Sequence, residues 1–169
     1  ATMSAPASAV LDAFGGAAAD VGAYLHSAGL ELYGAPPLRA AIAERYSARG
    51  LFTEPDQIMV TTGALNAIGL ILSTFIEPGD RVLVEQPTYP GALAAIGAAG
   101  ARPVPVSLAP DEGWDLGALH TAIRQLAPTL AYLIPDQHNP TGLTMPAEQR
   151  KQLGRIIVET RTRTVIDES

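Results

Sequence analysis

Four short groups of residues in this 169-residue chain place side chains capable of chemistry beside apolar runs. Thr61-Thr62-Gly63-Ala64 opens a very apolar helix, so the free backbone N–H groups of Gly63 and Ala64, the helix dipole and the Thr62 hydroxyl can hold a phosphate. The same tetrapeptide also reads as a plain helix cap with a glycine for close packing. It is neither a dinucleotide fingerprint nor a P-loop, because it has one glycine and no following lysine. In Glu85-Gln86-Pro87-Thr88-Tyr89-Pro90 an aromatic ring is held between two prolines. Tyr89 can stack on a planar heterocycle, which contributes about 0.5–1.5 kcal/mol beyond burial, or serve as an ordinary core or loop tyrosine.

Gln137-His138-Asn139-Pro140-Thr141-Gly142 separates an apolar run from a polar helix and is a turn by composition. A turn does not require asparagine, and Asn139 can donate its amide hydrogen to a phenolate-like oxygen. Asp167 ends the run Thr164-Val165-Ile166, where a buried carboxylate is costly unless it meets a cation such as a protonated ring nitrogen. The alternative is a strand-terminal aspartate that caps the next element. His138 has no second histidine or carboxylate at ligand spacing, so it receives no role and no metal site is assigned. Lys151, the single lysine, stands in Gln149-Arg150-Lys151-Gln152 and reads as a solvated surface charge.

The elements that must position these groups follow from periodicity and turn chemistry. Residues 1–28, rich in Ala, Gly and Ser, are expected to form a helical segment, and Leu38, Ala41, Ile42 and Tyr46 recur at helical spacing over 37–49 with Gly50 as the cap. Apolar strands are expected at 58–61, 81–85, 102–107, 130–134 and 164–167. Helices over 63–76, 90–99, 116–127 and 146–160 alternate with them. Glu77-Pro78-Gly79-Asp80 has the residues of a type II turn, Asp115 can cap the helix after it, and Gly100 can close the helix before it. Strands alternating with helices imply an α/β fold with a mostly parallel sheet covered on both faces. In such sheets ligands gather beyond the carboxyl ends of the strands, the rim on which all four groups fall.

Composition narrows the function classes. A hydrophobic share of 47% with 17% charged residues is that of a globular core, not a disordered chain. A net charge of -6 with scattered basic residues argues against nucleic-acid binding by this segment. Zero cysteines exclude disulfides and thiolate metal sites. No apolar run is long enough to span a bilayer and no signal peptide is evident, so the expectation is a soluble, cytoplasmic protein without membrane partners.

In order, a phosphate-holding helix start, a tyrosine, Asn139-Pro140-Thr141-Gly142 and a strand-terminal aspartate resemble the class I and II aminotransferases of fold type I, which use pyridoxal 5'-phosphate (PLP). The resemblance spans 30–169 and includes Gly34-Ala35-Pro36-Pro37-Leu38-Arg39, similar to the family's Gly-x-x-x-Leu-Arg at a helix start. Ile134-Pro135-Asp136 and Ile166-Asp167-Glu168-Ser169 are similar to the aminotransferase-like domain of MocR-type, GntR-family transcriptional regulators. The resemblance implies a three-layer α/β/α architecture, with 29–169 forming part of the PLP-transferase large domain. Its strand order puts the third strand at one edge, then the second, fourth and fifth, with the sixth, seventh and first beyond.

Residue by residue, the resemblance implies that Gly63 and Ala64 bind phosphate through their backbones with help from Thr62. Tyr89 would stack on the pyridine ring, Asn139 would hydrogen-bond the ring's 3'-oxygen, and Asp167 would pair with the ring nitrogen. The implied activity is amino-group transfer between an amino acid and a 2-oxo acid. The family's Schiff-base lysine comes later in its sequence than the segment matched here, so no catalytic residue is assigned. The 169 residues are expected to be a piece of a longer protein, inactive alone and weak or lacking in cofactor binding. The alternative is a PLP-sensing effector domain whose DNA-binding domain lies upstream. A homo-oligomer, a dimer in the family, or another fragment is expected to cover the edge of the strand ending at Asp167 and the helices beside it, unless the strand at 58–61 closes onto it.

Overall fold

The computed structural model of the protein describes residues 5–26, 28–109 and 113–168. Ser169, the last residue of the Ile166-Asp167-Glu168-Ser169 wording, lies outside them. The chain divides into two compact units, Ala1–Val60 and Thr61–Ser169.

In the first unit, helix α1 (Ala7–Tyr24) buries none of its residues. Helix α2 (Pro36–Ala48) starts on two prolines, which fit the first turn because its N–H groups have no helical partner. Gly50, at φ 94°, closes α2 through its N–H to Ser47 O, as the sequence suggests. Arg39 ties α2 to a short 3-10 turn, Pro55–Gln57: its Nε donates to Pro55 O and Ile58 O at 3.1 and 3.0 Å, and its guanidinium pairs with Asp56 at 2.9 Å. Gly34, at φ 98°, is needed where it stands, because a Cβ there would overlap the Val60 side chain.

The strand expected at 58–61 does not form. Ile58 is extended, but the segment joins no ladder, and the Val60 N–H is used by Tyr33 O at 2.9 Å. An apolar extended run becomes a strand only when a neighbour supplies the ladder, and local sequence cannot show whether one is present. The possibility that this strand closes onto the one ending at Asp167 falls with it.

The second unit alternates as expected: α3 (Ala64–Phe75), β1 (Arg81–Gln86), α4 (Pro90–Ala98), β2 (Arg102–Ala109), β3 (Gly113–Trp114), α5 (Leu116–Leu126), β4 (Leu130–Leu133), α6 (Ala147–Thr160) and β5 (Thr164–Ile166). The sheet runs β3-β2-β1-β4-β5, parallel throughout except for the antiparallel β2–β3 pair, which the sequence did not reveal. The order β2-β1-β4-β5 agrees with the one the resemblance implies. Among the described residues β5 pairs only with β4, at Tyr132↔Val165 and its neighbours.

Side chains of each strand alternate between two cores. Leu83, Ala131 and Leu133 face Leu116, Leu119 and Ile123 of α5 and Leu153 and Ile156 of α6. Val82, Val84, Leu130, Tyr132 and Ile134 face Ile68 and Leu72 of α3 and Ala92 and Ile96 of α4. The result is the expected three-layer α/β/α arrangement. The turn at 77–80 forms with Gly79 at φ 95°, Asp115 Oδ1 accepts from Ala118 N at 2.8 Å, and Gly100 closes α4 at φ 73°. Among the described residues no helix is long and apolar enough to cross a membrane.

Candidate functional site

At the carboxyl ends of β1, β4 and β5 the chain leaves a cavity of about 210 Å³ lined by Ala64, Tyr89, Ile134, Asn139 and Asp167. Four of the six residues singled out in the sequence therefore share one cavity. Thr62 and Gly63 stand exposed just ahead of it, at the start of α3. Gly63 takes φ 87°, and nothing lies within 4 Å of where its Cβ would be, so the backbone there is open to an incoming group. Among the described residues no side chain caps α3, and its first turn carries no acidic residue.

Tyr89 immediately precedes α4, and its ring folds back over Gly91, where any Cβ would overlap it. The glycine is thus required for the ring's position. Asn139 sits in a loop closed at both ends by the backbone of His138: His138 N donates to Leu143 O at 2.7 Å, and Gly142 N donates to His138 O at 2.6 Å. Gln137 ahead of it adopts the left-handed conformation at φ 44°, a strained choice for a non-glycine residue and one that gathers at functional sites. Both Gln86-Pro87 and Asn139-Pro140 are cis. The loop is also clamped from α6, since Arg150 makes a bidentate pair with Asp136 (2.5 and 2.7 Å) and donates to Met145 O and Pro135 O.

Asp167 follows β5, part-buried, with its N–H on Leu133 O at 2.9 Å. Its carboxylate meets a residue the sequence reading did not single out: the buried Tyr132 hydroxyl donates to Asp167 Oδ2 at 2.5 Å. Burial, and then the hydrogen bond to Asp167, push the Tyr132 phenol well above its ordinary value, so it remains a donor. The signal was present in the sequence as a tyrosine in an otherwise aliphatic strand, whose hydroxyl must find a partner. Lys151 is exposed and 3.3 Å from Glu148, in keeping with a solvated surface charge.

A second polar group lies on the other face of the sheet. Glu85, which continues the alternation of Leu83, is only 3% exposed; its Oε1 accepts from Trp114 Nε1 at 2.5 Å and its Oε2 from Ile134 N at 2.9 Å. His138, 1% exposed, brings Nε2 to 3.3 Å from Glu85 Oε2, outside hydrogen-bond geometry, while its Nδ1 meets Thr141 Oγ1 at 2.9 Å. Sequence reasoning assigned His138 no role and did not single out Trp114. Burial of a Glu or His cannot be read from one chain's pattern, although the single tryptophan, with an N–H to satisfy, was a cue.

The family model for "Aminotransferase class I and II" matches residues 23–169. An HTH-type transcriptional regulator of Escherichia coli strain K12, YdcR, is 39% identical over 116 residues, 69% of this chain and 25% of that protein. The 2-aminoadipate transaminase of Thermus thermophilus is 38% identical over 126 residues, 75% of this chain and 30% of that protein. The chain thus spans less than a third of the length of either relative. Among solved structures, LysN, the alpha-aminoadipate aminotransferase of Thermus thermophilus complexed with N-(5'-phosphopyridoxyl)-L-leucine, superposes with a TM-score of 0.77 at 33% identity, covering 90% of this chain and 39% of that one. Alanine aminotransferase from Pyrococcus furiosus gives 0.80 at 27% identity, covering 91% and 39%.

Proposed function

The chain belongs to the class I and II aminotransferases, and on that premise we propose that its cavity is a PLP site used for amino-group transfer between an amino acid and a 2-oxo acid. The observation that carries the reading is the convergence of Ala64, Tyr89, Asn139 and Asp167 on one cavity beside an uncapped helix start. These residues suit the cofactor's parts: N–H groups and a dipole for a phosphate, a ring for a ring, an amide donor for a phenolate oxygen, and a carboxylate for a ring nitrogen. Bound there, PLP would supply a protonated ring that draws off the charge left when an amino acid loses its alpha proton.

This chain's residues do the holding. Thr62, Gly63 and Ala64 bind the phosphate at the start of α3, and the positive φ at Gly63 keeps that approach clear of side-chain atoms. Asp167 holds a proton at the ring nitrogen. Tyr132, by donating to one carboxylate oxygen, fixes the direction in which Asp167 points. Asn139 orients the ring from its loop, and Tyr89 covers a ring face. Helix α1, which buries none of its residues, is a surface on which a homo-oligomer of the protein would form.

A second reading has its own support in the 39% identity to an HTH-type transcriptional regulator. In it the same cavity senses PLP or an adduct, and an attached DNA-binding domain responds. One experiment separates the two: incubate the full-length protein with PLP, a panel of amino acids and a 2-oxo acid, and follow new amino acids by chromatography. Transfer is the expected result. PLP binding without transfer, joined to DNA affinity that changes with PLP, would move the function to the regulator.

A further inference from the structure

The sealed cluster of Glu85, Trp114 and His138 takes no part in the reading above, yet it is built against the residue next to Asn139. The imidazole of His138 is fully enclosed, while Asn139, one position on, is exposed and lines the cavity. Both main-chain polar groups of His138 close the loop that carries Asn139. A displacement of the imidazole therefore moves the backbone from which the Asn139 side chain departs. Glu85 is the fixed end of this arrangement, pinned by Trp114 Nε1 and by the backbone of Ile134, a residue that also lines the cavity.

We propose that Glu85 and His138 are positioning residues, a buried carboxyl–imidazole pair that sets where the Asn139 amide stands in the cavity. The inference rests on the cofactor reading only for what Asn139 meets there. Among the described residues His138 Nε2 is buried without a hydrogen-bond partner, and Glu85 Oε2 stands 3.3 Å from it. A buried nitrogen so placed is costly until a small rotation completes the bond. Two proton arrangements complete it. With Glu85 ionised, Nε2–H donates to Oε2 and the Thr141 hydroxyl donates to Nδ1; with Glu85 protonated, its O–H donates to Nε2 and Nδ1–H donates to Thr141 Oγ1. The exchange reverses the role of Thr141, whose Oγ1 also accepts from Leu143 N at 3.3 Å, so it reaches the loop on both sides of Asn139.

Burial pushes Glu85 up to about 7 against the pull of its two N–H donors, and burial pushes His138 down, which brings the exchange close to neutral pH. The charge of Asp167, after β5, also acts on Glu85, and Glu85 in turn acts on Tyr132 of β4. Helices α5 and α6 bring Leu116, Leu119, Leu153 and Ile156 to this face.

Because Trp114 is the chain's single tryptophan and its ring meets that of His138 edge-on at 6.0 Å, its emission reports the pair directly. The test follows Trp114 fluorescence and the Asn139 side-chain amide resonance, assigned by its loss in Asn139→Ala, from about pH 5 to about pH 9 in the 169-residue chain. Both signals should titrate with one midpoint in the wild type and lose that midpoint in Glu85→Gln. His138→Gln, a second variant in case the first folds poorly, should shift the Asn139 resonance at every pH. In the full-length protein, affinity for pyridoxamine 5'-phosphate should fall by about tenfold in either variant. An Asn139 resonance that stays still while Trp114 titrates, or that keeps its wild-type position in both variants, overturns the proposal. A coupled titration together with no pyridoxamine phosphate affinity in the full-length protein supports the positioning pair and counts against the cofactor reading instead.

Discussion

On the α3–α4 face, the carboxyl rim of the sheet opens into a cavity where Asn139 is exposed and Asp167 half-buried. On the α5–α6 face of the same rim, Glu85 and His138 are almost wholly enclosed. Both faces carry a carboxylate at a strand end and a donor from the loop at 137–142. They differ in what satisfies the polar atoms. Glu85 is enclosed and bonded to Trp114 and Ile134, while Asp167 accepts from Tyr132 and lines the cavity. Enclosed polar groups must be satisfied internally and so act on stability and position, whereas those at a cavity keep capacity for a ligand.

The comparison breaks most readily at Glu85. Replacing Glu85 by Ala orphans the Trp114 and Ile134 N–H groups and leaves a cavity, and should cost about 3–5 kcal/mol in a denaturant titration. Asp167→Asn keeps an acceptor for Tyr132 and should change stability by less than about 1 kcal/mol. Equal losses at the two carboxylates would erase the distinction between the faces.

The pH dependence of stability sharpens it next. Glu85 has a folded value of about 7 against an ordinary 4.5, so its contribution is fully present below 4.5 and is lost as pH rises through 7. The fall is at most roughly 3 kcal/mol. His138, held below its ordinary 6.5, works in the opposite sense: its contribution is full above 6.5 and is lost as pH falls. The wild type should therefore show a reduced fall across this window, and Glu85→Gln should show a rise with pH in its place. Chemical denaturation at stepped pH reads both slopes.

Smaller effects belong to the open side and to the clamp. In the full-length protein Asn139→Ala should weaken pyridoxamine 5'-phosphate binding by about tenfold, measured by calorimetry, with stability changed by less than about 0.5 kcal/mol. Arg150→Ala removes the bidentate pair to Asp136 and two carbonyl contacts; with both side chains 35% exposed, the cost should be about 1–2 kcal/mol by thermal melting.

The open face was the legible one. Thr62, Gly63, Ala64, Tyr89, Asn139 and Asp167 each follow or end an apolar run, and the rule that ligands gather at strand carboxyl ends puts them on one rim from the sequence alone. The sealed face was hidden because its members come from β1, β3 and the loop before α6, and nothing local marks Glu85 or His138 as buried. Tyr132 was missed for a related reason: its partner is 35 residues away and meets it only through the β4–β5 register. The segment 58–61 shows the reverse error, a strand-like pattern whose ladder depends on a neighbour no local signal reports.

The most direct measurement is a crystal structure of the protein with pyridoxamine 5'-phosphate. The expected result is the phosphate at the start of α3, the ring against Tyr89, the ring nitrogen at Asp167 and the ring oxygen at Asn139. A ligand bound elsewhere, or held in this cavity with its ring nitrogen turned away from Asp167, would contradict the assignment.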